Sequence, residues 1–167
     1  MNYLIGVTLL WSFSFSLIGV YLAGQVDAYF SVLTRIVLAS LLLLLAEAPA
    51  VLAGQAVLQT WSWVPELGLM LSFRLDGLAL LFAGLITCIG LLIVVYAHFY
   101  LAPGDSAAKF YSLMMLFMAA MLGVVLSDNL LLLVVFWELT SISSFLLIGF
   151  WSHRADARAG ARQALAV

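Results

Sequence analysis

Long apolar runs separated by short polar breaks make up most of this chain. The runs cover residues 3–22, 29–45, 78–100, 110–126 and 130–151. Each is close to the roughly 20 residues that cross a bilayer as an α-helix, which satisfies its own backbone hydrogen bonds there. We therefore predict an all-α integral membrane protein with about five transmembrane helices.

Tight polar breaks separate the later runs. They include residues 103–105, with Pro and Gly, and residues 127–129. Because short connections make consecutive helices antiparallel neighbours, the last three runs should form an up-down-up bundle. In the second of these breaks, Ser127 or Asp128 could cap the helix that follows.

A longer connection follows the second run. It is expected to lie outside the membrane, although residues 48–58 could instead extend the second helix beyond Pro49. The predicted organisation is a two-helix hairpin at 1–45, an extracytoplasmic connection at 46–77, a three-helix bundle at 78–151 and a basic cytoplasmic segment at 152–167.

The composition agrees with a membrane protein and excludes other classes. The chain is 66% hydrophobic and 8% charged, whereas an average soluble domain is about 25% charged. With six Lys and Arg and a net charge of -2, it has no basic surface for nucleic acid. Cys88 is alone in an apolar run, so neither a disulfide nor a cysteine metal site can form within the chain. We expect a lipid bilayer as partner, and no cofactor or metal.

Basic residues predict the orientation. Arg154, Arg158 and Arg162 follow the last run, and Lys109 lies between the third and fourth. Since Lys and Arg concentrate in cytoplasmic loops, both regions should be cytoplasmic. Counting back through five runs places the N-terminus outside.

Glu138 is the main candidate for chemistry because it lies inside the fifth apolar run. A charge at the bilayer centre costs between about 2.5 and more than 10 kcal/mol, so such residues usually move ions or protons. An apolar surrounding favours the protonated carboxyl and a nearby cation favours the ionised form, so a moving charge could switch proton binding. Ser141, three residues on, shares its face. Alternatively, Glu138 stays neutral and hydrogen-bonds between helices.

Other polar residues could support an ion path. Arg74 and Asp76 precede the third run, where they either anchor the helix end or take part in ion uptake. Asp128 lies in the break before the fifth run. His98, near the inner end of the third, could serve proton entry or simply occupy the interface.

Four segments resemble the N-terminal part of the large (A) subunit of Mrp-type multisubunit Na+/H+ antiporters, which is kin to the antiporter-like L subunit of complex I. They are Leu-Ser-Phe-Arg-Leu-Asp-Gly-Leu-Ala-Leu-Leu-Phe at 71–82, Gly-Val-Val-Leu-Ser-Asp-Asn-Leu at 123–130, Phe-Trp-Glu-Leu-Thr-Ser at 136–141 and Leu-Leu-Ile-Gly-Phe-Trp at 146–151. The resemblance extends from about residue 46 to the end of the chain.

This resemblance implies part of a transporter and not an enzyme. It implies a multi-pass protein of the bacterial plasma membrane with an outside N-terminus, other antiporter subunits as partners, and protons and Na+ as transported ions. Glu138 matches the family's fifth-helix glutamate, which transfers protons with a lysine on the seventh helix. The family's large subunit continues for many more spans, so we expect a truncated antiporter-like bundle in which Glu138 is half of a charge pair.

Residues 1–45 resemble the first hairpin of a drug/metabolite transporter instead. The similar segments are Leu-Trp-Ser-Phe-Ser-Phe at 10–15 and Leu-Thr-Arg-Ile-Val-Leu-Ala-Ser at 33–40. A fusion near residue 45 would explain both resemblances. Two alternatives to the antiporter function stay open: a non-transporting structural or assembly module, and a small-molecule exporter.

Overall fold

The computed structural model describes residues 26–64, 69–102, 104–151 and 155–166. In chain order its elements are α1 (Val26–Leu52), β1 (Val57–Val64), β2 (Leu69–Leu75), α2 (Gly77–Tyr100), α3 (Ala107–Leu126), α4 (Leu130–Ile148), a 3-10 turn (Gly149–Trp151) and α5 (Ala155–Ala166).

Four stretches in these ranges are long and apolar enough to cross a membrane as helices. They are Val32–Leu52, Gly77–Tyr100, Ala107–Leu126 and Leu130–Trp151. These stretches match the second to fifth predicted runs, so the helical membrane fold is confirmed. The first predicted run, residues 3–22, lies outside the described residues.

The first described helix, α1, continues through Pro49 and ends at Leu52. Gly54 sets this end, since its φ of 83° is a left-handed backbone conformation that glycine adopts without strain. Its N–H donates to the carbonyl of Val51 at 3.0 Å. The alternative extension of the second helix therefore exists as far as Leu52.

A β-hairpin follows α1, and it was not predicted from the sequence. β1 and β2 are antiparallel, from Val57 opposite Leu75 to Val64 opposite Leu69. Alternation along β2 puts Phe73 and Leu75 on one face, and both side chains belong to the buried core of the helices. The hairpin is thus packed onto the bundle through that face.

The bundle is centred on α3. Of the 18 most apolar consecutive residues of α3, 56% are buried. The corresponding share is 17% for the stretch that contains α4. The largest buried side chains of α3 are Tyr111, Met115, Met118, Leu122 and Leu126. α3 packs on both α2 and α4. Most of the surface of α4 is therefore uncovered by the described residues.

Small residues allow the close approach of α3 to its neighbours. A Cβ atom added to Gly123 would overlap the ring of Phe136 on α4, and one added to Gly90 on α2 would meet the sulfur of Met118. Glycine at such crossings lets helices pack tightly in a membrane, where association depends on van der Waals contact.

Gly123→Ala should therefore lower the free energy of unfolding by about 1–3 kcal/mol, the usual range for overpacking a core. Gly84→Ala is the matched control, because a Cβ at Gly84 on α2 meets nothing within 4 Å. Thermal unfolding of the purified membrane protein in detergent measures both. Equal melting temperatures for the two variants would contradict the close contact at Gly123.

Candidate functional site

A side-chain cap starts α4. The Oδ1 atom of Asn129 accepts a hydrogen bond from the N–H of Leu132 at 2.7 Å, and Asn129 itself has an extended backbone. The prediction that Ser127 or Asp128 caps this helix is wrong. The helix begins at Leu130, and the capping oxygen must come from the residue immediately before it.

Glu138 lies within α4, roughly 12 Å along the axis from its start at about 1.5 Å per residue. α4 buries Leu132, Phe136 and Ser143. Glu138 and its neighbour Trp137 are exposed, and the Trp137 side chain is among the large uncovered apolar groups. The carboxylate is therefore on a face of α4 that the other described residues do not cover.

Within the described ranges, the ion pairs join Arg74 to Asp76 and Arg74 to Asp128, and Glu138 takes part in neither. A carboxylate inside an apolar span is stable only if it is protonated or meets a cation or polar groups. No described side chain forms an ion pair with Glu138, so a cation that meets this carboxylate would come from beyond the described residues.

Hydroxyl side chains follow the glutamate along α4 and bond to the carbonyls of their own helix. Thr140 Oγ1 donates to the Trp137 carbonyl at 2.6 Å, and Ser141 Oγ reaches the same oxygen at 3.4 Å. Ser143 and Ser144 make equivalent bonds one turn later. Such bonds satisfy hydroxyls without water. Ser141, predicted to share the face of the glutamate, thus directs its hydroxyl to the backbone.

The structure brings Arg74, Asp76 and Asp128 together at one end of the bundle. Arg74 Nε is 3.4 Å from Asp76 Oδ2, and Arg74 Nη1 is 3.9 Å from Asp128 Oδ1. All three side chains are partly exposed, so these pairs contribute little stability. Asp76 also caps α2 by accepting from the N–H of Ala79 at 3.0 Å. With Ser127, the Arg74 and Asp76 side chains line a cavity of about 220 Å³.

The predicted site residues do not form one cluster. Asp128 precedes Glu138 by ten residues, and the helical part between them, from Leu130, is roughly 12 Å long. His98 lies in the last turn of α2, at the opposite end from Asp76, which caps its start. There its ring stacks on Phe30, with ring centroids 4.3 Å apart. The polar residues are thus distributed along the bundle, with Glu138 between the two ends.

Two polar contacts at helix ends were not predicted. Asn129 Nδ2 donates to Ser72 Oγ at 2.8 Å, and Trp151 Nε1 donates to Asp105 Oδ1 at 3.0 Å. The partners are 57 and 46 residues apart in the sequence, respectively. In the sequence, a polar residue beside an apolar run indicates that a helix ends there. It does not indicate which distant residue the polar side chain will bond to.

Metal chemistry is not supported by the part of the chain that the structure describes. No group of three or more His, Cys, Asp or Glu side chains there could hold a metal ion. Cys88 is a free, exposed thiol. The chemistry available around α4 is that of carboxyl and hydroxyl groups.

Two protein families match the chain. Residues 61–111 match the family described as NADH-Ubiquinone oxidoreductase (complex I), chain 5 N-terminus. Residues 127–166 match the family described as NADH:quinone oxidoreductase/Mrp antiporter, TM. The first match includes part of β1 and all of β2 and α2, and the second includes Glu138 and all of α4.

Individual relatives agree with these families. The chain is 47% identical over 165 residues, 98% of its length, to a probable K(+)/H(+) antiporter A/B subunit of Rhizobium meliloti. It is 49% identical over 115 residues, 69% of its length, to the Na(+)/H(+) antiporter A1 subunit of Staphylococcus haemolyticus. A chain in the structure of the Mrp complex from a Dietzia species superposes with a TM-score of 0.81, covering 97% of this chain at 31% identity.

The extent of these matches bears on the organisation of the chain. The chain spans 16% and 14% of the length of the two relatives, and 17% of the Dietzia chain. The Rhizobium alignment covers 98% of the chain and so includes the first hairpin, for which the sequence suggested a different transporter class. A single relative therefore accounts for both parts of the chain.

The two roles of Asp76 can be separated by substitution. Asp76→Ala should lower the free energy of unfolding by about 1 kcal/mol because it removes the cap of α2. Asp76→Ser keeps a capping oxygen but removes the charge that faces Arg74, and should cost at most about 0.5 kcal/mol since the pair is exposed. The melting temperatures of the two purified variants, measured by thermal unfolding, give the comparison. Equal losses would mean that the ion pair, and not the cap, stabilises this end.

Proposed function

Because the chain belongs to the family of membrane subunits shared by Mrp antiporters and complex I, we propose that it forms the N-terminal part of a cation/proton antiporter subunit in which Glu138 binds and releases the transported proton. The role is transport and not enzymatic catalysis. The observation that supports Glu138 is its position in the apolar stretch Leu130–Trp151, on the uncovered face of α4.

The physical basis is the cost of charge in a membrane. An ionised carboxylate near the bilayer centre is unfavourable by at least about 2.5 kcal/mol, so Glu138 holds a proton when no cation is near. When a positive group approaches, it stabilises the ionised carboxylate, and the proton leaves the carboxyl oxygen for a neighbouring acceptor. When the positive group withdraws, the carboxylate takes up a proton again. If Glu138 takes up the proton from one side of the membrane and releases it to the other, each cycle transports one proton.

The positive group comes from outside the described residues. Glu138 faces away from the described helices, and the chain spans 16% of the length of its Rhizobium relative. The remainder of such a subunit would cover the open face of α4 and contribute a basic side chain, as the lysine on the seventh helix does in the family. Other antiporter subunits and the lipid bilayer are the proposed partners.

The coupled ion is a monovalent alkali cation. One relative is named for K(+)/H(+) exchange and the other for Na(+)/H(+) exchange. Both ions are hard cations that bind oxygen ligands, and the two names differ only in which one is exchanged. Na+ is the ion proposed for this chain, since the resemblance is to Mrp-type sodium antiporters.

The remaining polar residues are proposed as supports of the path. Arg74, Asp76 and Asp128 form a polar entrance at one end of the bundle, beside the cavity that Ser127 also lines. His98, at the other end of α2, is the imidazole proposed to take part in proton entry. Ser141 would satisfy its own helix, leaving the carboxyl group of the glutamate free for its mobile partner.

The proposed location is the bacterial plasma membrane, with an outside N-terminus and a cytoplasmic α5. Lys109 at the start of α3 lies over the ring of Phe150 at 5.9 Å, so it is at the same end of the bundle as α5. Arg158 and Arg162 on α5 are exposed at that end. Basic residues gathered at one end favour a cytoplasmic position for it.

Glu138→Gln should reduce cation-dependent proton flux by about 100-fold or more, since a positioned proton-transfer group typically contributes at least that factor. Proton flux is measured in membrane vesicles that contain the assembled antiporter complex. The substitution is made in the complete subunit of which this chain would form the N-terminal part. Asp156→Asn is the control, because it removes an exposed carboxylate from α5, outside the apolar spans. Undiminished flux in Glu138→Gln, at equal protein levels, would contradict the proton site and favour a structural or assembly role.

The orientation is tested by chemical labelling of Arg158→Cys. With Cys88 replaced by alanine, a membrane-impermeant maleimide should label this variant in inverted vesicles and not in right-side-out vesicles. The expectation follows from the cytoplasmic location of basic segments. Labelling only in right-side-out vesicles would reverse the proposed orientation.

A further inference from the structure

We infer that strand β2 sets the position of α4 in the membrane, and that Asn129 and Ser72 are positioning residues for proton transfer at Glu138. The inference rests on the proposed function of Glu138. It follows from the contacts between β2 and the turn before α4, and from the weak burial of α4 elsewhere.

The turn before α4 is fastened to the edge of β2 by the backbone. The N–H of Asp128 donates to the carbonyl of Ser72 at 3.0 Å. Phe73 and Ser127 form an antiparallel β-bridge. The turn is thus paired with β2 at one isolated bridge, and α4 starts directly after it.

Asn129 adds a side-chain connection that also caps the helix. Its Oδ1 accepts from the N–H of Leu132 at 2.7 Å, while its Nδ2 donates to Ser72 Oγ at 2.8 Å and to the carbonyl of Met70 at 3.0 Å. The helix N–H requires an acceptor and the Met70 carbonyl requires a donor, so the amide orientation is unambiguous. A carboxylate at this position could cap the helix but could not donate to β2.

A second contact between β2 and α4 lies one to two turns along the helix. The ring centroids of Phe73 and Phe136 are 6.1 Å apart. Phe136 is buried where α4 packs against Gly123 of α3. Phe136 precedes Glu138 by two residues. The cap and the ring contact together hold α4 at two points, which resists both rotation and sliding of the helix.

α4 packs on α3 along one side and contacts α5 near its end, and the contacts with β2 add the anchor at its start. Its stretch is 17% buried, the smallest share among the four apolar helices described. Glu138 lies nine residues beyond Asn129, roughly 13 Å along a stiff helix. A small tilt or rotation at the anchored end is therefore transmitted to the carboxyl group. Proton transfer is sensitive to such shifts, since a displacement of about 1 Å can cost about 100-fold in rate.

The experiment separates the tether from the cap. Asn129→Asp keeps an acceptor for the N–H of Leu132, so α4 still begins normally, but it loses both bonds to β2. Ser72→Ala removes one of those bonds, and Ser72→Thr restores a hydroxyl acceptor in a strand where threonine is favoured. Thr60→Ala is the control, since it removes an exposed hydroxyl from the neighbouring strand β1.

Each variant is prepared in the full-length subunit, assembled in the antiporter complex, and two quantities are measured at equal protein levels. The first is cation-dependent proton flux in vesicles. The second is the rate at which a hydrophobic carbodiimide modifies Glu138, measured by mass spectrometry. Carbodiimides react with protonated carboxyl groups, so this rate reports the surroundings of Glu138 whether or not transport occurs.

Asn129→Asp and Ser72→Ala should lower flux by about 10-fold or more, within the range for misplaced catalytic groups, and should change the carbodiimide rate at Glu138. Ser72→Thr and Thr60→Ala should match the unmodified protein in both. Unchanged flux and labelling in Asn129→Asp and Ser72→Ala, or equal losses in Ser72→Ala and Ser72→Thr, would overturn the inference.

The outcome is distinguishable from a failure of the proposed function. If Glu138→Gln leaves flux intact, the proton site is lost, but a changed labelling rate in Asn129→Asp would still establish that β2 positions α4. If Glu138→Gln abolishes flux and the tether variants behave normally in both measurements, the proton site stands and the positioning role is rejected.

Discussion

The absence of water in a bilayer governs this structure, because every backbone N–H and C=O inside it must find a partner within the protein. Helices satisfy their interiors but leave the first N–H groups open. Here Asp76, Ser106 and Asn129 accept those hydrogen bonds at the starts of α2, α3 and α4. Ser106 and Asn129 also lie in short connections between consecutive helices, so capping and chain reversal occur at the same place there. The tight turns then bring consecutive helices into contact.

The same constraint explains why packing is uneven across the bundle. Apolar side chains gain little from leaving lipid, so contact area and close fit decide which helices associate. α3 achieves that fit on both sides, with Gly123 admitting Phe136 and Met118 packed against Gly90. α4 is held mainly along one narrow face and at its start. The helix that carries Glu138 is therefore the least buried of the four.

An open helix face is what the proposed proton transfer at Glu138 requires, because its positive partner must approach and withdraw. A carboxylate buried by fixed neighbours would have a single protonation state, whereas one on an open helix face takes its state from whatever covers that face. Arg74 with its carboxylates lies at one end of the bundle and His98 beside Phe30 at the other, whereas Glu138 lies roughly 12 Å inside α4. In the proposed function, Glu138 is thus a position along a proton path and not part of a closed pocket. The similarity to subunits several times longer is consistent with a path completed by further helices.

The sequence by itself determined the helices and the position of the carboxylate within one of them, because apolar length and an isolated charge are local properties. It also identified Arg74, Asp76 and Asp128 as helix-end residues, and the motif around Glu138 identified the family. The hairpin was missed because its two short strands were interpreted as parts of one connection, and its burial depends on contact with distant helices. The cap was assigned one or two residues too early, since the exact start of α4 depends on the bond of Asp128 to Ser72. Only the tertiary structure decided which face of α4 stays open and which strand holds it, because those facts arise from contacts between residues nearly sixty positions apart.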